Sequence, residues 1–332
     1  MKTRKTLLKL KNLKNAITNK PTDCFHFVNG NVFAFKEDIT ISMRMKTGFN
    51  GSFPAKDIIK GLETLREEEF KMSLDGNDNL VIFTDSSKVK ICSNPEEYAK
   101  MEEFFLSGPE GEVFVLPDGY MEGLHLCAET ASKDLKDGET SCVAIKSGVV
   151  EATNNIRASV FINSMKCEEN IYLASSTVKK IPKECSEIEV SENCVVFKDD
   201  ICKYSIPRME IEFPDIFTAV KSWIPKKKDL ITFPKDIIKI VRDIEHFCGG
   251  DSEYEKSVNV KFTKKEIILS ARKDTASIKK KMENTTQNID LKFSINPTML
   301  SSVLTSADEV FIHDDKIFFI RDNFIHIIGL MV

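Results

Sequence analysis

The sequence has no hydrophobic run long enough to cross a lipid bilayer as a helix, for which about 20 consecutive apolar residues are needed. Its N-terminal leucines are interrupted by lysines, unlike the continuous apolar core of a secretory signal. With 42% hydrophobic residues in a chain of 332, the sequence still has enough apolar material for substantial cores. We therefore expect a cytoplasmic protein of two or three domains with no membrane contact.

The spacings that bind metals or carry out catalysis are also missing. The nine cysteines form no Cys-x-x-Cys pair, and the five histidines form no His-x-x-x-His pair or nucleophile–base spacing. Acid pairs such as Asp199-Asp200 and Asp314-Asp315 fall in predicted hairpin turns, where solvated aspartate is common. The sequence thus predicts reduced thiols, no metal, no cofactor and no enzymatic activity.

The usual sequence motifs of nucleic-acid binding are absent too. There is no glycine-rich phosphate loop, no recognition-helix motif and no series of aromatic residues for base stacking. The net charge is −4, but the charges are separated along the chain: residues 1–20 hold seven cations and no acid, while acids gather in predicted turns such as Glu67–Glu69. Separate positive and negative surfaces fit this distribution better than a uniformly acidic protein.

The clearest positive feature is an internal repeat. Ser52–Leu62 has the sequence Ser-Phe-Pro-Ala-Lys-Asp-Ile-Ile-Lys-Gly-Leu, and Thr232–Val241 has Thr-Phe-Pro-Lys-Asp-Ile-Ile-Lys-Ile-Val. Each passes from a strand-like residue through proline into a helix with one apolar face. Looser copies at Pro117, Ser175 and Asn296 make the signature recur about every 60 residues.

Alternating apolar residues between these helices predict antiparallel strands joined by tight turns, such as the one at Asn29-Gly30. The order of helix, strands, helix, strands occurs three times, in blocks of about 110 residues. We therefore predict an α+β protein of three similar domains, at residues 1–110, 111–222 and 223–332, each with two helices packed on antiparallel sheets.

The predicted helices carry cations on the face opposite their apolar residues. Surface lysine often serves only solubility, but here it recurs at equivalent places in the repeat; the last helix, Thr298–Thr305, lacks it. Placed side by side, such helices would form a basic wall that contacts phosphates without distinguishing bases. The residues predicted to contact DNA are Lys5, Lys9, Lys56, Lys60, Lys133, Lys136, Lys179, Lys180, Lys183, Lys235, Lys239 and Arg242.

Five local sequences in this order resemble those of the bacterial-type DNA sliding clamp, the β subunit of the replicative DNA polymerase. They are Val115–Asp118, Thr153–Arg157, Phe213–Asp215, Phe293–Asn296 and the apolar end Ile327–Val332. The second has Thr-Asn-Asn-Ile-Arg where the family has Thr-Asp-Gly-His-Arg, and the chain begins in a helix without the family's opening strand. The resemblance therefore implies a divergent member that is encoded by a phage and acts in the host cytoplasm.

The resemblance implies a clamp fold in which two chains join head to tail into a ring of six domains and twelve helices. At about 9 Å between neighbouring helix axes, that ring has an axis-to-axis diameter of roughly 35 Å, which admits a DNA duplex. The implied function is a processivity factor that encircles double-stranded DNA without sequence preference. It would tether a DNA polymerase and other partners, with a clamp loader as a further possible partner.

The resemblance also implies an apolar pocket for short peptides of partner proteins, between the second and third domains. Transferred by position, its residues are Thr153, Asn155, Arg157, Pro214, Thr218, Ala219, Ile317, Ile328, Leu330 and Met331. Ile328 and Leu330 could instead fill the core of the third domain.

Two other interpretations compete with a sliding clamp. A β-rich viral structural or assembly protein would share the alternating strands but would not need lysine on its helices. A trimeric ring of two-domain chains is disfavoured, because three blocks are present rather than two.

Overall fold

The computed structural model describes residues 3–14, 23–36, 38–99, 111–224, 230–234, 236–250, 255–284, 290–305 and 309–331. Its numbered helices are α1 (Thr3–Lys14), α2 (Ala55–Thr64), α3 (Tyr120–Thr130), α4 (Ser175–Val178), α5 (Ile216–Lys221), α6 (Ile237–Glu245) and α7 (Pro297–Leu304), and residues 95–99 are helical as well. A 3-10 helix covers Leu135–Ser141. Among the described residues, every helix is too short or too polar to cross a bilayer.

The predicted repeat signature precedes a helix at each of its five positions. Pro54 comes directly before α2, and Asn296 directly before α7, where its side chain accepts a hydrogen bond from the backbone N–H of Met299 at 3.0 Å. Pro297 then takes the first helical position, where its missing N–H costs nothing. The strand-to-helix signature therefore marks helix starts, as the sequence predicts.

The chain divides into two compact units. Unit 1 comprises residues 1–121 and 177–209, and unit 2 comprises residues 122–176 and 210–332. Because residues 111–222 are divided between both units, the boundaries of the three predicted domains stay a prediction.

Unit 1 contains an eight-stranded antiparallel sheet and a three-stranded one. The order of the large sheet is β4 (Gly51–Pro54), β1 (Cys24–Val28), β2 (Asn31–Lys36), β3 (Ile39–Arg44), β15 (Cys202–Pro207), β14 (Cys194–Lys198), β13 (Glu187–Val190) and β8 (Glu112–Val115). The small sheet has the order β5 (Lys71–Leu74), β6 (Leu80–Phe83) and β7 (Lys88–Ile91). Helices α1 and α2 pack against each other and against the large sheet.

Unit 2 contains a second eight-stranded antiparallel sheet and a four-stranded one. The large sheet has the order β12 (Ile171–Ala174), β9 (Cys142–Lys146), β10 (Val149–Thr153), β11 (Arg157–Ile162), β23 (Phe324–Gly329), β22 (Lys316–Arg321), β21 (Glu309–His313) and β16 (Ile231–Thr232). The small sheet has the order β19 (Ala276–Glu283), β18 (Glu266–Lys273), β17 (Val258–Phe262) and β20 (Leu291–Ile295). Helices α6 and α7 pack against each other.

Each large sheet is two four-stranded halves joined by one antiparallel strand pair, which we call a seam. Strands β3 and β15 form the seam in unit 1, and β11 and β23 form the seam in unit 2. In the small sheets, β7 and β19 are edge strands that pair on one side only among the described residues. The large sheets thus contain half-sheets that are joined at a seam, whereas the two small sheets resemble single half-sheets that are not joined to another.

The large sheet of unit 2 has an apolar cluster on each face. One cluster combines α6 and α7 with strand residues such as Ile317, Phe319 and Ile328, and we call this side the α6 face. The other cluster combines α5 with Phe318 and Ile327, and we call this side the α5 face. Burial on both faces follows the period-two alternation of side chains along each strand.

Candidate nucleic-acid interface and partner groove

On α2, the predicted DNA-contacting residues lie on the exposed side of the helix. Ile58, Ile59 and Leu62 are buried, while Lys56 and Lys60 are exposed. Neither lysine has an ion-pair partner among the described residues, so both charges are available to phosphates. Lys5 and Lys9 lie on α1, but their side chains fall outside the described part of the chain.

Three further predicted cations of unit 1 follow α4. Lys179 and Lys183 are exposed, whereas Lys180 is half-buried in an ion pair with Asp38. The Asp38 carboxylate also accepts a hydrogen bond from Thr177 Oγ1 at 2.9 Å. Burial alone would raise the pKa of Asp38, but the bonds from Lys180 and Thr177 outweigh it and lower that pKa. The charge of Lys180 is therefore already balanced by Asp38 within the same unit.

In unit 2, Lys133 and Lys136 do not lie on a helix with an apolar opposite face. The sequence predicts that this helix continues to residue 133, but α3 ends at Thr130 and contains no lysine or arginine. The backbone N–H of Ser132 donates to Thr140 O at 2.8 Å, which turns the chain away from the helix axis. Both lysines are exposed.

Helix α6 repeats the arrangement seen on α2. Ile237, Val241 and Ile244 are buried, while Lys239 and Arg242 are exposed. Lys235 falls outside the described residues, and α7 carries no cation, as its sequence already shows. Of the predicted DNA-contacting residues whose side chains are described, those that lie on helices with a buried apolar face are Lys56 and Lys60 on α2 and Lys239 and Arg242 on α6.

The predicted groove residues Thr153, Asn155 and Arg157 form one tight turn between β10 and β11. Thr153 Oγ1 accepts a hydrogen bond from Asn155 N at 3.0 Å and donates one to Arg157 O at 2.9 Å. Asn155 has a φ of 69°, a left-handed conformation that asparagine tolerates better than most residues. Arg157 Nη2 donates to Glu129 O at 2.7 Å, which ties the turn to the end of α3.

Ile317 and Ile328 are buried core residues and do not line an open groove. Both are 0% exposed on the α6 face, where they belong to the core around α6 and α7. The next residues, Phe318 and Ile327, lie on the α5 face instead. A shift of one position along a strand moves a side chain to the opposite face of the sheet, which explains why Ile317 and Ile328 lie on the α6 face and not beside α5.

The remaining groove residues divide between helix α5 and the C-terminus. Pro214, Thr218 and Ala219 are exposed beside or on α5. Leu330 is half-buried against the core of the α6 face, and Met331 N donates to Ser294 O at 2.9 Å. Sequence reasoning missed the half-buried α5-face residues Ala158, Phe213, Phe217 and Trp223, although the alternation along β11 indicates Ala158.

A buried carboxylate holds α5 on its sheet. Glu151 is 0% exposed, and its two carboxylate oxygens accept hydrogen bonds from the backbone N–H groups of Ile216 and Phe217 at 3.3 and 3.0 Å. Lys146 Nζ lies 3.0 Å from Glu151 Oε2 and 3.5 Å from Asp215 Oδ1. The carboxylate thus satisfies two N–H groups that the helix itself cannot pair, and Lys146 balances its charge.

The only tryptophan lies at the other end of the α5 segment. The ring centroid of Trp223 is 5.9 Å from that of His313 and 6.4 Å from that of Phe318, and Lys316 Nζ is 5.6 Å from the Trp223 ring. Trp223 and Phe217 are half-buried, so the α5 face presents apolar and aromatic surface to solvent. Such a surface suits apolar anchor residues of a partner peptide.

Two serine–histidine pairs, Ser52–His26 and Ser159–His326, have hydrogen-bonding geometry but are buried, which leaves no access for a substrate. Ser159 Oγ lies 2.6 Å from His326 Nδ1 and 2.6 Å from Thr130 Oγ1, and all three residues are buried. Burial, followed by the nearby Arg157 charge, lowers the pKa of His326 to about 3. The imidazole is therefore neutral at physiological pH, and the three side chains connect α3 to the seam of unit 2.

No family model matches the chain, and no curated protein matches it. Solved structures do match over nearly their whole length. The DNA polymerase III β subunit of Pseudomonas aeruginosa has a TM-score of 0.80 at 10% identity, and the β subunit of Streptococcus pyogenes has 0.81 at 13%. That of Thermotoga maritima has 0.75 at 17%. Each match covers 100% of this chain and 98% of the other. The predicted fold is confirmed: the chain has the fold of the DNA polymerase III β subunits.

Proposed function

We propose that this protein is a DNA polymerase processivity factor, a sliding clamp without enzymatic activity. The observation that carries the proposal is the likeness to DNA polymerase III β subunits, which covers 100% of this chain. It would be encoded by a phage and act on DNA in the host cytoplasm. Its partners would be double-stranded DNA, a DNA polymerase and, for ring opening, a clamp loader.

Two unjoined half-sheets support ring closure between two copies. Edge strand β19 occupies the place in its half-sheet that β3 and β11 occupy in theirs, and β7 corresponds in the same way to β15 and β23. Within the chain, β3 joins β15 and β11 joins β23. Joining β19 of each copy to β7 of the other would complete six joined half-sheet pairs and leave neither edge open.

The two internal seams also fix the register expected between copies. In both, the first residue of one strand faces the fifth of the other, as Cys202 faces Met43 and Arg157 faces Ile328. The Ser87 carbonyl accepts the hydrogen bond that closes the hairpin turn before β7, as the Cys202 carbonyl does before β15. Ser87 is therefore taken as the first residue of β7 when the register is counted.

Counted in this way, Ile91 faces Ala276 of the second copy and Val89 faces Ile278. These residues lie on the sides of their sheets that carry the helices, because Val89 lies against Gly61 of α2 and Ile278 packs on the α6 core. Apolar contacts would then accompany the backbone hydrogen bonds of the new seam.

DNA binding would use the exposed cations of α2 and α6, together with those of the other predicted segments. Lysine and arginine that contact only phosphates bind any sequence, exchange readily and allow sliding. Lys180 would contribute little, because Asp38 already neutralises it.

Partner binding would use the α5 face of unit 2. The exposed Pro214, Thr218 and Ala219 adjoin half-buried Phe217 and Ala158, and the turn that holds Arg157 leads into the same sheet. Because Ile317 and Ile328 belong to the core, we propose that Phe217 and Trp223 provide the apolar contacts for the polymerase peptide.

The decisive experiment compares retention on circular and linear DNA. The clamp is loaded on a nicked plasmid, either with a loader or by association of two free copies around the DNA, and half of the sample is then cut once by a restriction enzyme. A ring stays on the circle in 500 mM NaCl and leaves the cut molecule by its ends. Equal loss from both would contradict encirclement. A β-rich viral assembly protein would show neither retention nor stimulation of a polymerase.

A Phe217→Ala variant separates tethering from encirclement. We expect retention on circles to be unchanged and polymerase stimulation to fall about tenfold, since loss of a buried aromatic contact weakens a peptide interface by 1 kcal/mol or more. The matched control is Phe33→Ala, which removes a half-buried phenylalanine of unit 1, away from the α5 face of unit 2. Equal effects of the two variants would argue against a partner site on the α5 face.

A further inference from the structure

The strands that would join two copies carry more lysine than the strands that join within the chain. Lys88 and Lys90 are exposed on β7, and Lys279 and Lys281 are exposed on β19. All four point away from the helices, because the alternate residues Val89 and Ile278 point toward them. This inference rests on the proposed ring and concerns how its seam is controlled.

The register of the internal seams places Lys88 of one copy directly opposite Lys279 of the other. Lys90 then faces Ser277 and is diagonal to Lys279. Two acids close to these strands already form ion pairs, because Lys90 Nζ lies 2.6 Å from Asp75 and Lys281 Nζ lies 2.9 Å from Glu266. Lys88 and Lys279 have no ion-pair partner among the described residues.

The internal seams contain no such contact. On the side away from the helices in unit 1, Lys203 faces Ser42 and Ser205 faces Thr40. In unit 2, Ala158 faces Ile327 and Val160 faces Ile325. Among the seams, a rung, meaning a pair of facing residues, with the same charge on both strands is therefore expected only between copies.

We propose that the Lys88–Lys279 rung makes the intermolecular seam an electrostatic gate that closes as ionic strength rises. Two ammonium groups on facing residues repel each other in water, and salt screens this repulsion. The apolar pairs Val89–Ile278 and Ile91–Ala276 on the helix side do not depend on salt in that way. The ring consequently tightens with added salt, whereas its phosphate contacts weaken.

The test is the dimer dissociation constant of the full chain, measured by sedimentation equilibrium at 50 and 300 mM NaCl. For the wild type, we expect the constant to fall several-fold at the higher salt concentration. Lys88→Glu and Lys279→Glu each place opposite charges on the rung. Each should tighten the dimer about three- to tenfold at 50 mM NaCl and reverse the salt dependence.

The double variant Lys88→Glu/Lys279→Glu restores a like-charge rung and should return the dissociation constant to near the wild-type value. Lys203→Glu is the matched control, because it reverses an exposed lysine of an internal seam. It should leave the constant unchanged. Single reversals that weaken the dimer, or a double variant as tight as the singles, would overturn the proposal.

A disulfide test checks the register without relying on charge. In a Cys92→Ser background, which removes the exposed native thiol, Lys88→Cys/Lys279→Cys should form a crosslinked dimer under mild oxidation. The offset pair Lys88→Cys/Lys281→Cys should crosslink much less. Equal crosslinking of both pairs would reject this register. A chain that stays monomeric at every salt concentration and with every variant would instead contradict the proposed ring itself.

Discussion

At the scale of single residues, Glu151 has the clearest structural role. Its carboxylate is fully buried and joins three groups that are distant in sequence: Lys146, and the backbone N–H groups of Ile216 and Phe217. A buried carboxylate needs such partners, since an unpaired buried charge is costly. The position of α5 on its sheet therefore depends on one side chain.

Replacing Glu151 by glutamine should lower the free energy of unfolding by about 2 kcal/mol, because Lys146 loses its counter-charge and one N–H loses a strong acceptor. Chemical denaturation measures this loss. Glu189→Gln is the control, since Glu189 forms an ion pair with Lys198 at 2.8 Å and is more exposed. It should cost under about 1 kcal/mol. Hydrogen exchange at Ile216 and Phe217 should accelerate only in the first variant; equal losses would contradict the anchoring role.

Two buried histidines make stability depend on pH. Burial lowers the pKa of His26 to about 4, and burial together with Arg157 lowers that of His326 to about 3. The unfolded chain titrates near pH 6.5, so below that pH it binds more protons than the folded chain, and folding is penalised. Stability contributed by the neutral imidazoles is complete above pH 6.5 and is lost as the pH falls toward 4 and 3.

We expect the wild type to be about 2 kcal/mol less stable at pH 5 than at pH 7 for each buried histidine. His326→Asn keeps a polar atom near Ser159 but cannot titrate. Between pH 7 and pH 5, the free energy of unfolding of this variant should therefore decrease by about 2 kcal/mol less than that of the wild type. Urea unfolding at both pH values provides the comparison. Identical pH dependence in the two proteins would mean that His326 does not contribute.

At the scale of elements, α2 and α6 are equivalent helices that present cations on their exposed sides. Lys56→Glu/Lys60→Glu should weaken binding to duplex DNA more than tenfold. If both lysines contact phosphates, the slope of log affinity against log salt should decrease in magnitude by about 2. Fluorescence anisotropy over a salt series measures both quantities.

The control for this element is Lys261→Glu/Lys292→Glu, which reverses two exposed lysines on facing residues of β17 and β20. It changes the net charge by the same amount on a strand surface rather than on a helix. DNA affinity and salt slope should stay close to those of the wild type. An equal loss in both double variants would show that overall charge, and not the α2 surface, governs binding.

At the scale of the whole molecule, the repeated half-sheet organises the protein. Two seams form inside the chain, and the edge strands β7 and β19 are left to form a third seam with another copy. Light scattering should therefore give a particle of about twice the 37.6 kDa chain mass at micromolar concentration in 300 mM NaCl. A trimer or a larger assembly would contradict closure by two copies.

The sequence by itself determined the helix starts, the strands and their repeat. Proline before an amphipathic helix and the alternation of apolar residues are local signals, and the strand Val258–Phe262 forms where apolar and polar residues alternate. It also identified the fold, through short matches whose order spans nearly the whole chain. Local patterns were sufficient here because hydrogen bonding and burial of one face act between near neighbours.

Only the tertiary structure decided which side chains remain accessible. Ile328 and Ile327 are equally apolar in sequence, but strand pairing turns the first into the α6 core and the second toward α5. In the sequence, Lys180 cannot be distinguished from an unpaired surface lysine, but in the structure it forms an ion pair with Asp38, which is far away in sequence. Such outcomes depend on contacts between residues more than a hundred positions apart, and no local pattern carries that information.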